Sequence, residues 1–159
     1  MASYTDNGAN GIEPLYSYEH IALRNPLVQI EDLDEGNVRL GTITTEFLTF
    51  ATAIHHNSFV KFNDIDLTQV RELRYRLQQR GVGGNVEVRL DSKDGKLVSN
   101  LKVTSGEFQD FKQGWKEVRT RLDENVSGVH DIYFVFTNPK AERQNLFNID
   151  WIYFGNGKN

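Results

Sequence analysis

Phe147-Asn148-Ile149-Asp150-Trp151-Ile152-Tyr153-Phe154 is the stretch whose reading decides the fold. Its apolar residues at 147, 149, 151 and 153 recur with a period of two, as in a half-buried β-strand. The alternation sends Asn148 and Asp150 to the opposite face or to the sheet edge. Upstream, Gly128-Val129-His130-Asp131-Ile132-Tyr133-Phe134-Val135-Phe136 reads as a second, nearly all-apolar strand. Phe134, Phe136, Trp151 and Tyr153 are expected in the core. Two such strands joined by the polar loop 137–146 describe the end of a β-sandwich. Polar groups at that rim are well placed to bind a polar ligand or a cation.

The same period extends through the middle of the chain. Val86, Val88 and Leu90 alternate with Glu87 and Arg89, and Leu73, Tyr75 and Leu77 alternate with Arg74, Arg76 and Gln78. Arg, Leu, Glu and Gln also suit a helix, but the strict alternation favours a strand. Asp94-Gly95 is expected to supply the positive φ of a tight hairpin. About nine strands and no helix are expected. Residues 1–13 are rich in Gly, Asn and Asp and read as a tail or linker. Residues 14–26 hold Leu15, Tyr16, Tyr18, Ile21 and Leu23 without alternation, an arm packed against the sandwich. The division is thus a tail and arm over 1–26, a sandwich over 27–155 and a short tail over 156–159.

Composition narrows the function. A length of 159 residues suits one domain with a full core. Net charge is −4, and basic residues interleave with acids along strands, unlike the basic stripe of a nucleic-acid binder. Arg71 to Arg80 holds one acid, but its spacing describes one strand face. No cysteine is present, which removes disulfide scaffolds, thiol catalysis and Cys–zinc sites. No apolar run reaches membrane-spanning length. The first residues lack the basic and apolar regions of a secretion signal, so a secreted parent would carry its signal elsewhere.

Catalytic readings are weaker than their structural alternatives. His130 and Asp131 are strand neighbours and point to opposite faces, so they form no direct dyad. His55 and His56 are separated in the same way and lack an obvious third metal ligand. Asp and Glu are numerous, yet nothing singles out two of them as a glycosidase pair.

The ordered segments resemble carbohydrate-binding module family 6, non-catalytic β-jelly rolls usually joined to glycan-active enzymes. The two terminal strands resemble that family's carboxy-terminal signature. His56-Asn57-Ser58-Phe59-Val60-Lys61-Phe62-Asn63-Asp64-Ile65-Asp66-Leu67 resembles its strand after the first variable loop. Gly83-Gly84-Asn85-Val86-Glu87-Val88-Arg89-Leu90-Asp91 with Asp94-Gly95-Lys96 resembles its central hairpin, and Val28-Gln29-Ile30-Glu31-Asp32 its opening strand. The resemblance runs from about Val28 to Phe154.

It implies an all-β fold, a β-sandwich of jelly-roll type. It implies a structural Ca2+ held by Gln29, Glu31 and Asp150, stapling the first and last strands. It implies a rim site for glycan with Asn148 as the amide and Glu46 as the acid. Strict spacing places Ala53 where the family has a tyrosine, and a loop shift brings in Phe50. Phe108 and Phe111 are the candidates for the second ring, because the position of Trp115 suits a buried core tryptophan. The loop 138–145 can add Arg143, Gln144 or Asn145. The implied protein is a non-catalytic module that holds a polysaccharide or oligosaccharide for a covalently linked catalytic domain. It would belong to a larger bacterial protein, secreted, periplasmic or at the cell surface, with no nucleic-acid or membrane partner. Two rivals stand beside this reading. One is a degenerate module serving as a structural or protein-interaction domain, favoured by Ala53 and the displaced tryptophan. The other is a stand-alone glycan-active enzyme. Asn148→Ala is expected to weaken glycan binding without unfolding the domain.

Overall fold

The computed structural model describes residues 2–5, 16–19, 25–78, 80–105 and 114–157. The strands in chain order are β1 (Ala2–Thr5), β2 (Tyr16–Glu19), β3 (Leu27–Gln29), β4 (Glu35–Gly36), β5 (Arg39–Ile43), β6 (Leu48–Thr52) and β7 (Ser58–Asp66). They continue as β8 (Glu72–Gln78), β9 (Gly83–Leu90), β10 (Leu97–Thr104), β11 (Trp115–Arg121), β12 (Val129–Thr137) and β13 (Asn148–Gly155). Short 3₁₀ turns cover Ile30–Asp32 and Thr44–Glu46. The alternating segment 72–78 is a strand, so tertiary pairing overrides its helix-forming composition.

Two sheets form the sandwich. One runs β10-β9-β12-β7-β4 and the other β11-β8-β13-β6-β5, with β3 also paired to β13. Every pairing is antiparallel. The inner faces meet through Leu73, Tyr75, Leu77, Ile149 and Ile152 on one side and Val60, Phe62, Val86, Phe134 and Phe136 on the other. Phe134 is the hub, in edge-to-face contact with Phe62, Tyr75 and Phe154 at 6.0, 6.2 and 6.2 Å between ring centroids. This is the β-sandwich of jelly-roll type that the sequence implied. Of the amino-terminal arm, β2 pairs with β1 in a separate two-stranded sheet, and residues 14, 15 and 20–24 lie outside the described residues.

Three local expectations change. First, the strict alternation in β13 breaks. Its register against β8 moves from Ile149↔Leu77 to Ile152↔Tyr75, three steps on β13 against two on β8. That extra residue is a β-bulge, which re-aims the side chains that follow. Ile149, Ile152 and Phe154 are buried, while Trp151 and Tyr153 are half-buried instead of core. Second, Asn148 and Asp150 leave the inner face but are themselves buried, at 3% and 2% exposure. Third, the positive φ of the β9–β10 hairpin belongs to Asp91, at 62°, and not to Gly95. Gly95 is needed for closeness: a Cβ there would meet the Leu90 carbonyl oxygen at 1.8 Å.

Candidate functional site

Three connections converge at one end of the sandwich: 53–57, 80–82 and 138–147. Asn145 ties them together. Its Oδ1 accepts from the Ile54 N–H at 2.9 Å, and its Nδ2 donates to the Arg80 carbonyl at 3.0 Å and to Asn148 Oδ1 at 3.2 Å. Backbone bonds from Val82 to Asn145, from Gly83 to Leu146 and from Leu146 to Ile54 complete the clamp. These groups sit where β-ladders end, so side-chain amides satisfy backbone groups that the ladders leave open.

Asn148 opens β13 beside this clamp. Its Nδ2 donates to Gln78 Oε1 at 2.9 Å, so Asn145, Asn148 and Gln78 form a chain of three amides. One cross-strand row runs Trp115, Gln78, Asn148 over β11, β8 and β13. Phe50 reaches toward that row from β6, and its ring meets Trp115 edge-on at 5.5 Å. Since β8 and β13 lie between β6 and β11, the two rings reach toward each other over the strands that carry Gln78 and Asn148. The Arg76 guanidinium lies 5.4 Å from the centre of the Trp115 ring. The Trp115 Nε1 is buried without a hydrogen-bond partner. Each of Asn148's polar atoms has capacity for one more hydrogen bond, enough for a sugar hydroxyl once the site is entered.

The other expected site residues fall in different places. Glu46 lies in the turn between β5 and β6, on the exposed surface. β6 is antiparallel to β13 and touches it at Ala51↔Ile149, so the chain from Ala51 back to Glu46 runs away from Asn148. Leu48 to Ala51 alone covers roughly 10 Å at strand rise before the turn that holds Glu46. The structure therefore does not bring Glu46 to the amide chain. Beside Glu46, Phe47 is 96% exposed in the left-handed region at φ 51°. Ala53 is also left-handed, at φ 52°. Phe108 and Phe111 lie outside the described residues.

The three calcium candidates come together where β3 meets β13. Gln29 pairs with Trp151 in the ladder, Glu31 follows in the 3₁₀ turn, and Asp150 lies next to Trp151. Asp150 is held by Arg76 Nη1 at 2.5 Å from Oδ2. Burial raises the Asp150 carboxyl above its ordinary range; Arg76 opposes this and the charge of Glu31 adds to it. Two carboxylates and an amide oxygen are the hard donors that calcium prefers, and a buried, under-compensated carboxylate gains from a cation. Among the described residues no cluster of three His, Asp or Glu side chains is placed to hold a metal. A calcium here would draw its remaining oxygens from Gln29, backbone carbonyls or water.

The catalytic readings find no support in the placement of their residues. His130 bonds Asp91 at 3.0 Å and the Ser127 carbonyl at 3.2 Å, while Asp131 bonds Lys61 at 2.8 Å on a separate path. His56 Nδ1 accepts from the Asn138 N–H at 3.1 Å. Gln78 and Trp115 were not legible as site members, because their meeting with Asn148 depends on strand register and not on sequence spacing.

A model of the family described as carbohydrate binding module (family 6) matches residues 33–156. An arabinoxylan arabinofuranohydrolase of Paenibacillus polymyxa is 39% identical over 100 residues, which cover 62% of this chain and 15% of that protein. The chain thus spans well under a quarter of this curated relative's length. A family 6 carbohydrate-binding module of Clostridium cellulolyticum, solved in complex with xylose, superposes with a TM-score of 0.69 at 24% identity, covering 81% of this chain and 95% of that one. A glycoside hydrolase family 43 arabinoxylan arabinofuranohydrolase of Bacillus subtilis, solved with cellotetraose, superposes with a TM-score of 0.67 at 29% identity, covering 94% of this chain and 32% of that one.

Proposed function

Since the chain belongs to carbohydrate-binding module family 6, we propose that it is a non-catalytic module holding a plant-type polysaccharide at the rim built around Asn148. The observation that carries this reading is the row of Trp115, Gln78 and Asn148 faced by Phe50. A ring offers a flat apolar face to the C–H face of a sugar, and the amides offer donors and acceptors to its hydroxyls. Phe50 is half-buried and Trp115 nearly covered, so Phe50 is the ring a sugar meets first. Glu46 sits in the exposed turn before β6, away from this row. Phe108 and Phe111 remain candidates for its second wall.

Gln29, Glu31 and Asp150 would hold a structural calcium, which supplies positive charge to the buried Asp150 and joins β3 to β13. The module would be linked to a glycoside hydrolase in a larger secreted or surface-bound bacterial protein. The likeness to arabinofuranohydrolases supports that context and makes arabinoxylan the first ligand to test. Its contribution there is effective concentration, not chemistry, and a single shallow site binds weakly.

A second reading is favoured by one observation. Asn148 is 3% exposed with both ends of its amide engaged, and Ala53 stands where the family has a tyrosine. In that reading the rim is a structural clamp and the module a protein-interaction domain. Affinity electrophoresis and calorimetry against arabinoxylan, xylan, β-glucans and their oligosaccharides separate the two, with and without calcium. Binding that is lost in Phe50→Ala supports the rim site. Silence across the panel from folded, calcium-loaded protein overturns it.

A further inference from the structure

At the end of the sheet away from Asn148, an open groove of about 760 Å3 is lined by Arg71, Arg119, Arg121, Glu72, Glu124 and Asn156, among others. Register fixes its separation from the rim. Gln78 marks the rim end of β8 and Glu72 the groove end, six residues apart, roughly 20 Å at strand rise. The groove is therefore distinct from the amide row.

Its electrostatics are unusual for a chain of net charge −4. Arg119 lies directly opposite Arg74 in the ladder, and like charges in that position repel. Arg74 is compensated: Glu72 accepts from its Nε at 2.5 Å, Glu117 lies 3.7 Å from its Nη1, and Tyr153 presents its ring at 5.4 Å. Glu72, the acid opposite Arg121, is thereby committed to Arg74. Among the described residues the Arg71 guanidinium donates only to the Val70 carbonyl, at 2.7 Å. The side chains of Arg119 and Arg121 make no hydrogen bond or ion pair among the described residues. Glu124 lines the same groove and makes no side-chain hydrogen bond or ion pair among the described residues, so the lining carries three guanidiniums against this one uncommitted acid.

We infer that this groove takes the oxyanion of an acidic sugar unit, a uronate carboxylate or a sulfate ester, from Arg119, Arg121 and Arg71. Planar guanidiniums offer paired N–H groups that match either oxyanion. The inference rests on the glycan-binding reading only for the sugar that carries the charge.

The test uses the full chain and its Arg119→Gln/Arg121→Gln double variant, with unchanged thermal melts as the check on folding. The probes are a glucuronate-bearing xylan oligosaccharide, a sulfated galactan oligosaccharide and the neutral xylan parent, each by calorimetry at low and high salt. The wild type should bind one or both acidic probes more tightly than the neutral parent. The double variant should lose about tenfold or more of that affinity, equivalent to at least one charge-assisted hydrogen bond, and keep its affinity for the neutral parent. Whichever acidic probe responds identifies the oxyanion. Phe50→Ala separates the two sites, since it should weaken the neutral parent and leave the acidic increment intact. An acidic probe that binds no better than the neutral parent, or equally well to the double variant, overturns the proposal.

Discussion

Tyr75 lies at the centre of the core with no exposed surface, and its hydroxyl has no hydrogen-bond partner. Burial drives its phenol well above the ordinary tyrosine range. Tyr75→Phe removes the unpaired hydroxyl and keeps the ring that packs edge-on against Phe134. A buried hydroxyl without a partner costs about 1–3 kcal/mol relative to its hydrated state. Against this stands the small void left by one oxygen, on the order of 0.4 kcal/mol at the usual cost per cubic ångström. The variant should therefore be more stable by about 1 kcal/mol, raising the melting temperature by roughly 2–4 °C for a chain of this size. Urea unfolding followed by the fluorescence of Trp115 and Trp151 reads the change, with an unaltered m-value as the check that the same surface is exposed. A loss of stability of about 1 kcal/mol or more would refute the reasoning, because it would mean that the hydroxyl is satisfied in solution.

Asn148→Ala breaks the hydrogen bonds to Gln78 Oε1 and from Asn145 Nδ2, so it should cost about 2 kcal/mol of stability. A variant that melts like the wild type would show that the amide chain is not formed, and it would restore the expectation of a purely functional asparagine. Calcium should raise the melting temperature, and Asp150→Asn should abolish that response in the same thermal scans. The raised Asp150 carboxyl favours folding when protonated, and that contribution is lost as pH rises through its folded pKa. The calcium effect should accordingly be larger near neutral pH than near pH ~4, and a response independent of pH would count against Asp150 as a ligand. Asp123 is lowered to about 2, first by the Asn125 backbone N–H and then by Lys96, and Asp131 is lowered chiefly by Lys61. Their contribution is present above the ordinary aspartate pKa and lost as pH falls through the folded values. Stability measured by urea titration should fall between about pH 4 and 2, less steeply in Asp123→Asn.

The fold was legible because strand periodicity is a local property. Alternation in 72–78 and 86–90 assigned strands whose inner residues, Tyr75 and Val88 among them, are buried. Register is not local. The bulge between Ile149 and Ile152 cannot be read from a pattern that alternates perfectly on paper, so Trp151 and Tyr153 were assigned to the wrong side. The candidate site suffered most from this. Asn148 and Gln78 are 70 residues apart in sequence, and only the β8–β13 ladder joins them. Glu46 was carried over by resemblance, and the direction of β6 takes it to the other end of the hairpin. The glycine of the β9–β10 turn was found for the wrong reason, since steric closeness to Leu90 and positive φ both select glycine.

The order of the six-stranded sheet has a consequence for how the chain is made. Its interior strand, β13, is the last of the described strands to be synthesised, while its neighbours β6 and β8 emerge long before it. Until residue 155 leaves the ribosome, the sheet exists only as two halves, the β5–β6 hairpin and the β8–β11 pair, each with an open edge facing the gap. Open edges invite pairing with other chains, and closure across such a sequence distance is slow. Nascent copies stalled or truncated before β13 are thus the dangerous species. A ribosome-bound chain ending at residue 147 should be cut freely by protease, whereas one carrying all of β13 beyond the exit tunnel should resist it.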